Sequence, residues 1–234
     1  MPETTRAWRV VLEKIERDLL DGTLKPGDRL APERELAATL SVGRSSVREA
    51  LRVLEVMGLI RTGTGSGPTS GAIIIATPRG GLSQLLRLQV AAHGFPIADV
   101  VQTRLILEDW TAGQLAQADG LDLADVHTTL EAMADPALSI EEFLALDARF
   151  HLGLSEATGN VIVAATMGGL RTAIEGYVRE GSHRIPDWPV TAAHLVQEHT
   201  DILAAIEAGD AERARALVAS HITGYYAAAG FGDA

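Results

Sequence analysis

Three histidines and one aspartate in the C-terminal half of the chain have the residue types and spacing of metal ligands. Asp147 and His151 are four residues apart in a helical pattern, so both side chains lie on one helix face. His199 and His221 stand midway along two later helical patterns. Three imidazoles and a carboxylate suit zinc, nickel or another first-row divalent ion. In a bundle core they could meet around an octahedral ion that keeps positions open for a ligand's oxygens.

The spacing alone leaves another interpretation open, because histidines in helices are often satisfied core or surface residues. His194 and His199 are five residues apart, about 140° around a helix, so they cannot both point inward. We therefore expect no metal role for the remaining four histidines, His93, His127, His183 and His194. The chain has no cysteine, which excludes disulfides and thiolate metal sites.

A second group of residues, near the N-terminus, suits contact with DNA. Arg44 and Arg48 are one turn apart at the start of a predicted helix, the end that usually enters the major groove. An arginine fork can bind guanine O6 and N7 together. Arg34, at the start of the preceding helix, is better placed for a backbone phosphate. Gly65 and Gly67 would let the backbone approach the adjacent minor groove.

The charge of the chain is uneven, and this bears on the choice of partner. The formal net charge is −11, but residues 1–77 carry +1 and the remainder carries −12. Phosphate contacts need Lys or Arg, and these are concentrated in the first third. The arginines could instead form ion pairs on a solvated helix face, as Arg52 could with Glu49 or Glu55.

The elements of the first 77 residues predict a winged helix-turn-helix. One helix covers Trp8–Leu20, a second begins near Pro32, and a third covers about 45–57. The buried stripe of the third helix is predicted to contain Val47, Leu51, Leu54 and Val56. Apolar segments at 59–61 and 72–75 flank a Gly-rich stretch, which indicates a β-hairpin wing.

After residue 81 the sequence shows helical patterns only. The predicted helices cover about 82–92, 97–118, 122–134, 139–157, 160–181, 189–208 and 210–229. Ser139 and Glu142 have capping-box spacing, and Gly209-Asp210 ends one helix and caps the next. We therefore predict a mainly α protein with a DNA-binding domain at 1–77, a linker at 78–81, and an all-α antiparallel bundle of about seven helices at 82–234.

The segment from Leu30 to Leu51, LAPERELAATLSVGRSSVREAL, resembles the N-terminal domain of GntR-family bacterial transcription regulators. The resemblance covers nearly all of residues 8–76. It implies DNA contacts at Arg34, Arg44, Ser45, Arg48 and a wing-tip glycine, Gly65 or Gly67. One departure is Gly43, where many members have a serine.

The segment from Ala98 to Ile222 resembles the FCD effector-binding domain of the FadR subfamily. The matching pieces are RLILE at 104–108, LDARFH at 146–151, ATGN at 157–160, EH at 198–199, AIEAGD at 205–210 and SH at 220–221. The resemblance implies that Asp147, His151, His199 and His221 are metal ligands and that Arg104 lies near the carboxylate of an effector. Arg104 could equally form a helix-surface pair with Glu108. Asn160 is a second effector-binding candidate, although it could simply cap a helix.

These observations predict a homodimeric, ligand-responsive repressor that binds double-stranded operator DNA and senses a small organic acid. Zinc is the expected ion, with nickel and manganese as alternatives. Other candidates are a metal-free regulator responsive to acyl-CoA, a metal-dependent hydrolase with an appended DNA-binding domain, and an architectural DNA-binding protein. An enzyme is not expected. With no signal-peptide pattern and no apolar run near the roughly 20 residues that span a bilayer, we expect a cytoplasmic location.

Overall fold

The computed structural model describes residues 7–63, 71–75, 79–92, 95–182 and 185–230. The chain divides into two compact units, with the boundary between Leu82 and Ser83. In these described ranges, no helix combines the length and apolar character needed to cross a membrane.

The first unit is a three-helix domain with a β-hairpin, as predicted. Its elements are α1 (Ala7–Leu20), α2 (Glu33–Thr39), α3 (Arg44–Val56), β1 (Ile60–Gly63) and β2 (Gly71–Ile74). The strands are antiparallel, with Ile60 opposite Ile74. Both of these isoleucines join a core that includes Val11 and Ile15 of α1 and Val47 of α3. The wing tip, and with it Gly65 and Gly67, lies outside the described residues.

Two details of the first unit concern the predicted helix-turn-helix. Ser41 has a φ of 52° in the turn between α2 and α3, so α2 ends before α3 begins. The buried face of α3 consists of Val47, Ala50 and Leu54. The prediction that Val56 belongs to this face was wrong, because Val56 lies on the opposite side of the helix and is 67% exposed.

The second unit is an all-helical bundle, and its helices agree with the predicted ones. Within the described residues they are α4 (Arg79–Ala91), α5 (Ile97–Ala116), α6 (Ala124–Met133), α7 (Ile140–Ala157), α8 (Val161–Ser182), α9 (Trp188–Glu207) and α10 (Ala211–Ala228). The predicted capping box is present, since Ser139 accepts from the Glu142 backbone and Glu142 accepts from the Ser139 backbone. Gly209 has a φ of 73°, and Asp210 caps α10.

The predicted linker at 78–81 lies next to the boundary between the two units. Three of its four residues are helical, because α4 begins at Arg79. Gly80 and Gly81 suggest a flexible joint, but a glycine lowers helix stability by only about 1 kcal/mol relative to alanine. Pro78 immediately before the first helical residue is also compatible with a helix start.

Helix α5 is central to the bundle and positions the functional side chains. It packs against α10 and also contacts α7, α8 and α9. At Gly113 the packing with α10 is so close that a Cβ would lie 2.3 Å from the guanidinium of Arg215. Polar side chains of α5, α7, α9 and α10 therefore meet in a buried interior rather than at the surface.

Candidate functional site

The four predicted metal ligands come together in the bundle interior. Asp147 and His151 project from α7, His199 from α9 and His221 from α10, and all four are buried. One ligand atom from each residue lies within 4.8 Å of every other. This buried group of one aspartate and three histidines could hold a metal ion. His194 is 72% exposed at its side chain, and His127 pairs with Glu207 at the surface. His93 and His183 lie outside the described residues.

The distances within the group match those expected around a metal. The Nε2 atom of His151 lies 3.2 Å from Nε2 of His221 and 3.2 Å from Nε2 of His199. Nε2 of His199 lies 3.3 Å from Oδ1 of Asp147. Zinc–nitrogen bonds of 2.0–2.1 Å at tetrahedral angles would place neighbouring ligand atoms about 3.3 Å apart. The distance from His151 Nε2 to Asp147 Oδ1 is longer, at 4.0 Å, so the four atoms do not form a regular tetrahedron.

Two glutamates outside the group face the Nδ1 atoms of two of its imidazoles. Nδ1 of His151 lies 2.6 Å from Oε2 of Glu108, and Nδ1 of His221 lies 2.7 Å from Oε2 of Glu198. A carboxylate opposite Nδ1 favours the tautomer with its proton on that nitrogen, which leaves a lone pair on Nε2. Among the described residues, Nδ1 of His199 has no hydrogen-bond partner, and Nδ1 of His151 is close to Glu108 without hydrogen-bond geometry.

This orientation favours a bound cation. The Nε2 lone pairs of His151 and His221 face each other across 3.2 Å, an arrangement that is repulsive unless a proton or metal ion lies between them. Burial, together with the neighbouring His221, lowers the pKa of His199 to about 4, and burial also lowers the pKa of His221. Protonation near neutral pH is therefore costly, so a metal ion fits this donor set better.

The charges around the group also fit a divalent ion. Burial alone would raise the pKa of Asp147, but the hydrogen bond from His199 and the neighbouring histidines hold it well below its usual range. Among the described residues, the ion pairs in and around the group include three carboxylates, those of Asp147, Glu108 and Glu198, and one guanidinium, that of Arg104. With neutral imidazoles the formal charge is −2, which a divalent cation would neutralise.

The depressed pKa of His199 predicts how the stability of the metal-free protein depends on pH. Histidine in an unfolded chain has a pKa of about 6.5, whereas His199 in the folded protein has a pKa of about 4. Between these values the unfolded chain binds more protons, so stability should fall as the pH is lowered from about 6.5 towards 4. Urea unfolding of the chelator-treated protein at several pH values tests this. A free energy of unfolding that stays constant across the window would contradict it.

Arg104 is buried beside the metal-ligand group, not on the helix surface. Its side chain is 3% exposed, and its Nε donates to Oε1 of Glu108 at 2.5 Å. Tyr226 of α10 lies near Arg104, whose positive charge opposes the rise that burial causes in the pKa of this tyrosine. Burial alone would raise the pKa of Glu108, but Arg104 and His151 lower it to about 2. The alternative of a helix-surface pair between Arg104 and Glu108 was wrong, because neighbouring helices cover this turn of α5.

A small cavity lies beside Arg104 and His151. Its volume, measured as the space that the centre of a water molecule can occupy, is about 10 Å³. This is room for about one water molecule. An effector at this position would need neighbouring side chains to move. The cavity is lined by Arg104, Ala148, His151, Leu152, Met167 and Ile174.

Asn160 has the capping role that the sequence left open. Its Oδ1 accepts hydrogen bonds from the backbone N–H groups of Ile162 and Val163, at the start of α8. This contact accounts for the side chain, so the effector role of Asn160 stays a prediction without further support.

The predicted DNA-contacting side chains in the described part of the first unit are exposed. Arg44 is the first residue of α3, Ser45 and Arg48 follow it, and Arg34 lies on α2. Nε of Arg48 donates to Oε2 of Glu33 at 3.0 Å, so this arginine is paired with α2. The proposed pairing of Arg52 with Glu55 is not supported, because Glu55 accepts from both the backbone N–H and the hydroxyl of Thr62.

Three glutamates were missed as functional partners. The sequence indicated Glu108 as a surface partner of Arg104 and Glu198 as part of a resemblance, and it indicated no contact for Glu33. The i,i+4 spacing of Arg104 and Glu108 was the one available signal. The contacts of Glu198 with His221 and of Glu33 with Arg48 join different helices and leave no local pattern.

Comparison with known protein families agrees with both units. Residues 9–69 match the family "Bacterial regulatory proteins, gntR family", and residues 99–224 match the FCD domain. The FCD match alone covers more than half of the chain.

Relatives of known name are regulators. HTH-type transcriptional regulator LutR of Bacillus subtilis (strain 168) is 28% identical over 87% of this chain and 92% of its own length. A protein of Escherichia coli (strain K12), named as a candidate regulatory protein of an L-lactate dehydrogenase operon, is 28% identical over 91% of this chain and 82% of its own. HTH-type transcriptional repressor NanR of Citrobacter rodentium (strain ICC168) is 29% identical over 91% and 81%, respectively.

Among solved structures, Streptococcus agalactiae GntR has the same fold, with a TM-score of 0.56 and 21% identity over 93% of this chain and 98% of that one. The matched families and the named relatives are transcription regulators rather than enzymes. The chain therefore belongs to the GntR family of bacterial regulatory proteins, as a DNA-binding, ligand-responsive transcription regulator with an FCD domain.

Proposed function

We propose that this regulator is a zinc-containing repressor of the FadR subfamily that releases its operator when a small organic acid binds in the bundle. The observation that carries the proposal is the convergence of Asp147, His151, His199 and His221 beside the buried guanidinium of Arg104. A metal ion and a guanidinium side by side are complementary to a carboxylate. Nickel and manganese are the alternative ions.

In this proposal Asp147, His151, His199 and His221 hold the ion. The bound ion supplies a positive charge and open positions that attract an oxygen of the acid. Arg104 binds another oxygen by charge-assisted hydrogen bonds, using N–H groups that Glu108 does not occupy. The cavity lined by Arg104 and His151 has room for about one water, so a short acid would need less rearrangement of the bundle than an acyl-CoA.

The DNA-binding unit contributes the output of the proposed switch. Arg44 and Arg48 contact base edges in the major groove, while Arg34 and Ser45 contact the DNA backbone and a wing-tip glycine approaches the minor groove. Two copies of the chain bind a palindromic operator in the cytoplasm. The acid must bind more tightly to one arrangement of the two DNA-binding units than to another, or it could not change operator affinity.

The proposal is tested with the full-length protein. Metal analysis after incubation with zinc and dialysis should find one ion per chain. L-lactate is the first acid to try, because one relative is named for an L-lactate dehydrogenase operon. Isothermal titration should show that binding of the acid requires the metal. Fluorescence anisotropy on an operator selected from random DNA should show weaker binding in its presence.

Two results would contradict the proposal. Protein that retains no divalent ion after zinc loading would remove the metal site. An acid that binds the metal-loaded protein but leaves operator affinity unchanged would show that the bundle does not control the DNA-binding unit.

A further inference from the structure

Glu108 contacts two functional residues with its two different oxygens. Oε2 lies 2.6 Å from Nδ1 of His151, and Oε1 accepts from Nε of Arg104 at 2.5 Å. The carboxylate is buried between them, with 3% exposure for the residue. A single carboxylate on α5 therefore connects a residue of the metal-ligand group with the guanidinium beside it.

Glu198 provides a contrast within the same site. It also faces a histidine of the group, with Oε2 2.7 Å from Nδ1 of His221. Its other oxygen lies 3.5 Å from the exposed His194, and its side chain is 27% exposed. Both glutamates thus lie within 2.7 Å of a histidine Nδ1, but Glu198 is in hydrogen-bond geometry and extends towards solvent, whereas Glu108 extends towards Arg104.

We propose that Glu108 is a positioning residue that holds His151 and Arg104 in a fixed relation, so that the metal and the carboxylate-binding guanidinium form one rigid anchor. This inference rests on the proposed function of the site. Each carboxylate oxygen lies within 2.6 Å of a nitrogen of its partner, so neither side chain can turn without losing a close contact with a buried carboxylate. Nε accounts for one of the five N–H groups of Arg104, which leaves others for an acid.

The substitution Glu108→Gln separates the two contacts. An amide has one acceptor oxygen and one donor nitrogen, so it can accept from His151 or from Arg104 in this geometry, but not from both. Its NH₂ group must then face the other N–H donor. Glu198→Gln is the matched control, because it makes the same change opposite His221 without touching Arg104.

The experiment measures zinc affinity by chelator competition and side-chain N–H signals by ¹⁵N NMR in the full-length protein. Loss of an outer-shell partner typically lowers metal affinity about 10–100-fold, and both variants should show this. In Glu108→Gln the exchange-protected signals of His151 Nδ1–H and Arg104 Nε–H should shift or disappear together. In Glu198→Gln only the signal of His221 Nδ1–H should change. Arg104→Met assigns the arginine signal.

The inference is overturned if Glu108→Gln keeps wild-type zinc affinity or if the His151 and Arg104 signals respond separately. Failure of the proposed function gives a different result, because the wild-type protein itself would then bind no zinc. In that case the NMR comparison can still be made on the metal-free protein. Thermal unfolding reports whether each variant folds. If Glu108→Gln does not fold, Glu108→Asp replaces it, because the shorter side chain keeps the charge but cannot reach both partners.

Discussion

Replacing His199 with alanine should abolish stoichiometric metal binding. His199 is fully buried, and its Nε2 lies 3.2 Å from His151 and 3.3 Å from Asp147, so the substitution removes a donor from the centre of the group. The loss should exceed the roughly 10–100-fold effect of removing an outer-shell partner. Chelator competition and metal analysis of the dialysed protein measure it. The operator response to the acid should disappear with the metal.

His194→Ala is the control for this substitution. His194 lies on the same helix, five residues earlier, and its side chain is 72% exposed. It should retain one ion per chain and a wild-type response. Circular dichroism and thermal unfolding show whether the His199→Ala protein remains folded. A folded His199→Ala protein with undiminished zinc affinity would show that the buried group is not the metal site.

Replacing Arg44 with alanine should weaken operator binding by about 1–3 kcal/mol, or ~5–150-fold, which is the usual value of a bidentate contact to guanine. Arg44 is exposed at the first position of α3, and the start of a recognition helix is the end that usually enters the major groove. Fluorescence anisotropy on the selected operator and on single-base variants measures the change. Discrimination at one base pair should be lost together with affinity.

Arg52→Ala is the matched control, because Arg52 is an exposed arginine two turns further along the same helix. It should change affinity less and leave sequence preference intact. If Arg44→Ala instead weakens binding equally on all sequences and lowers the salt slope by about one, Arg44 contacts a phosphate rather than a base.

Helical periodicity accounts for what could be predicted of the metal-ligand group. The i,i+4 spacing of Asp147 and His151 places both on one face, and the five-residue spacing of His194 and His199 excludes one of them from the interior. Each helix hides one face, so a polar residue in register with that face is expected in the core. The resemblance to a known family then indicated that the three helices carrying these residues meet.

The missed contacts depend on packing between helices. Arg104 and Glu108 would have the same spacing whether their turn of α5 were buried or exposed. The turn is buried because α7, α8 and α10 cover α5. Glu33 and Arg48 are 15 residues apart on two helices, so their contact follows from the crossing of α2 and α3. No periodic pattern in one segment contains that information.

The pair formed by Arg48 and Glu33 has a consequence for the search along the genome. In the unbound regulator this guanidinium already has an internal anion, so any phosphate or base must compete with a tethered glutamate. An exposed ion pair of this kind contributes up to about 1 kcal/mol. Competition with it therefore lowers the affinity for DNA by at most about fivefold. Two aligned hydrogen bonds to a matching base pair can compensate for this loss of affinity, whereas a random stretch of DNA cannot. If Arg48 contacts DNA as proposed, we expect Glu33 to shorten the time that the protein spends on the wrong sites.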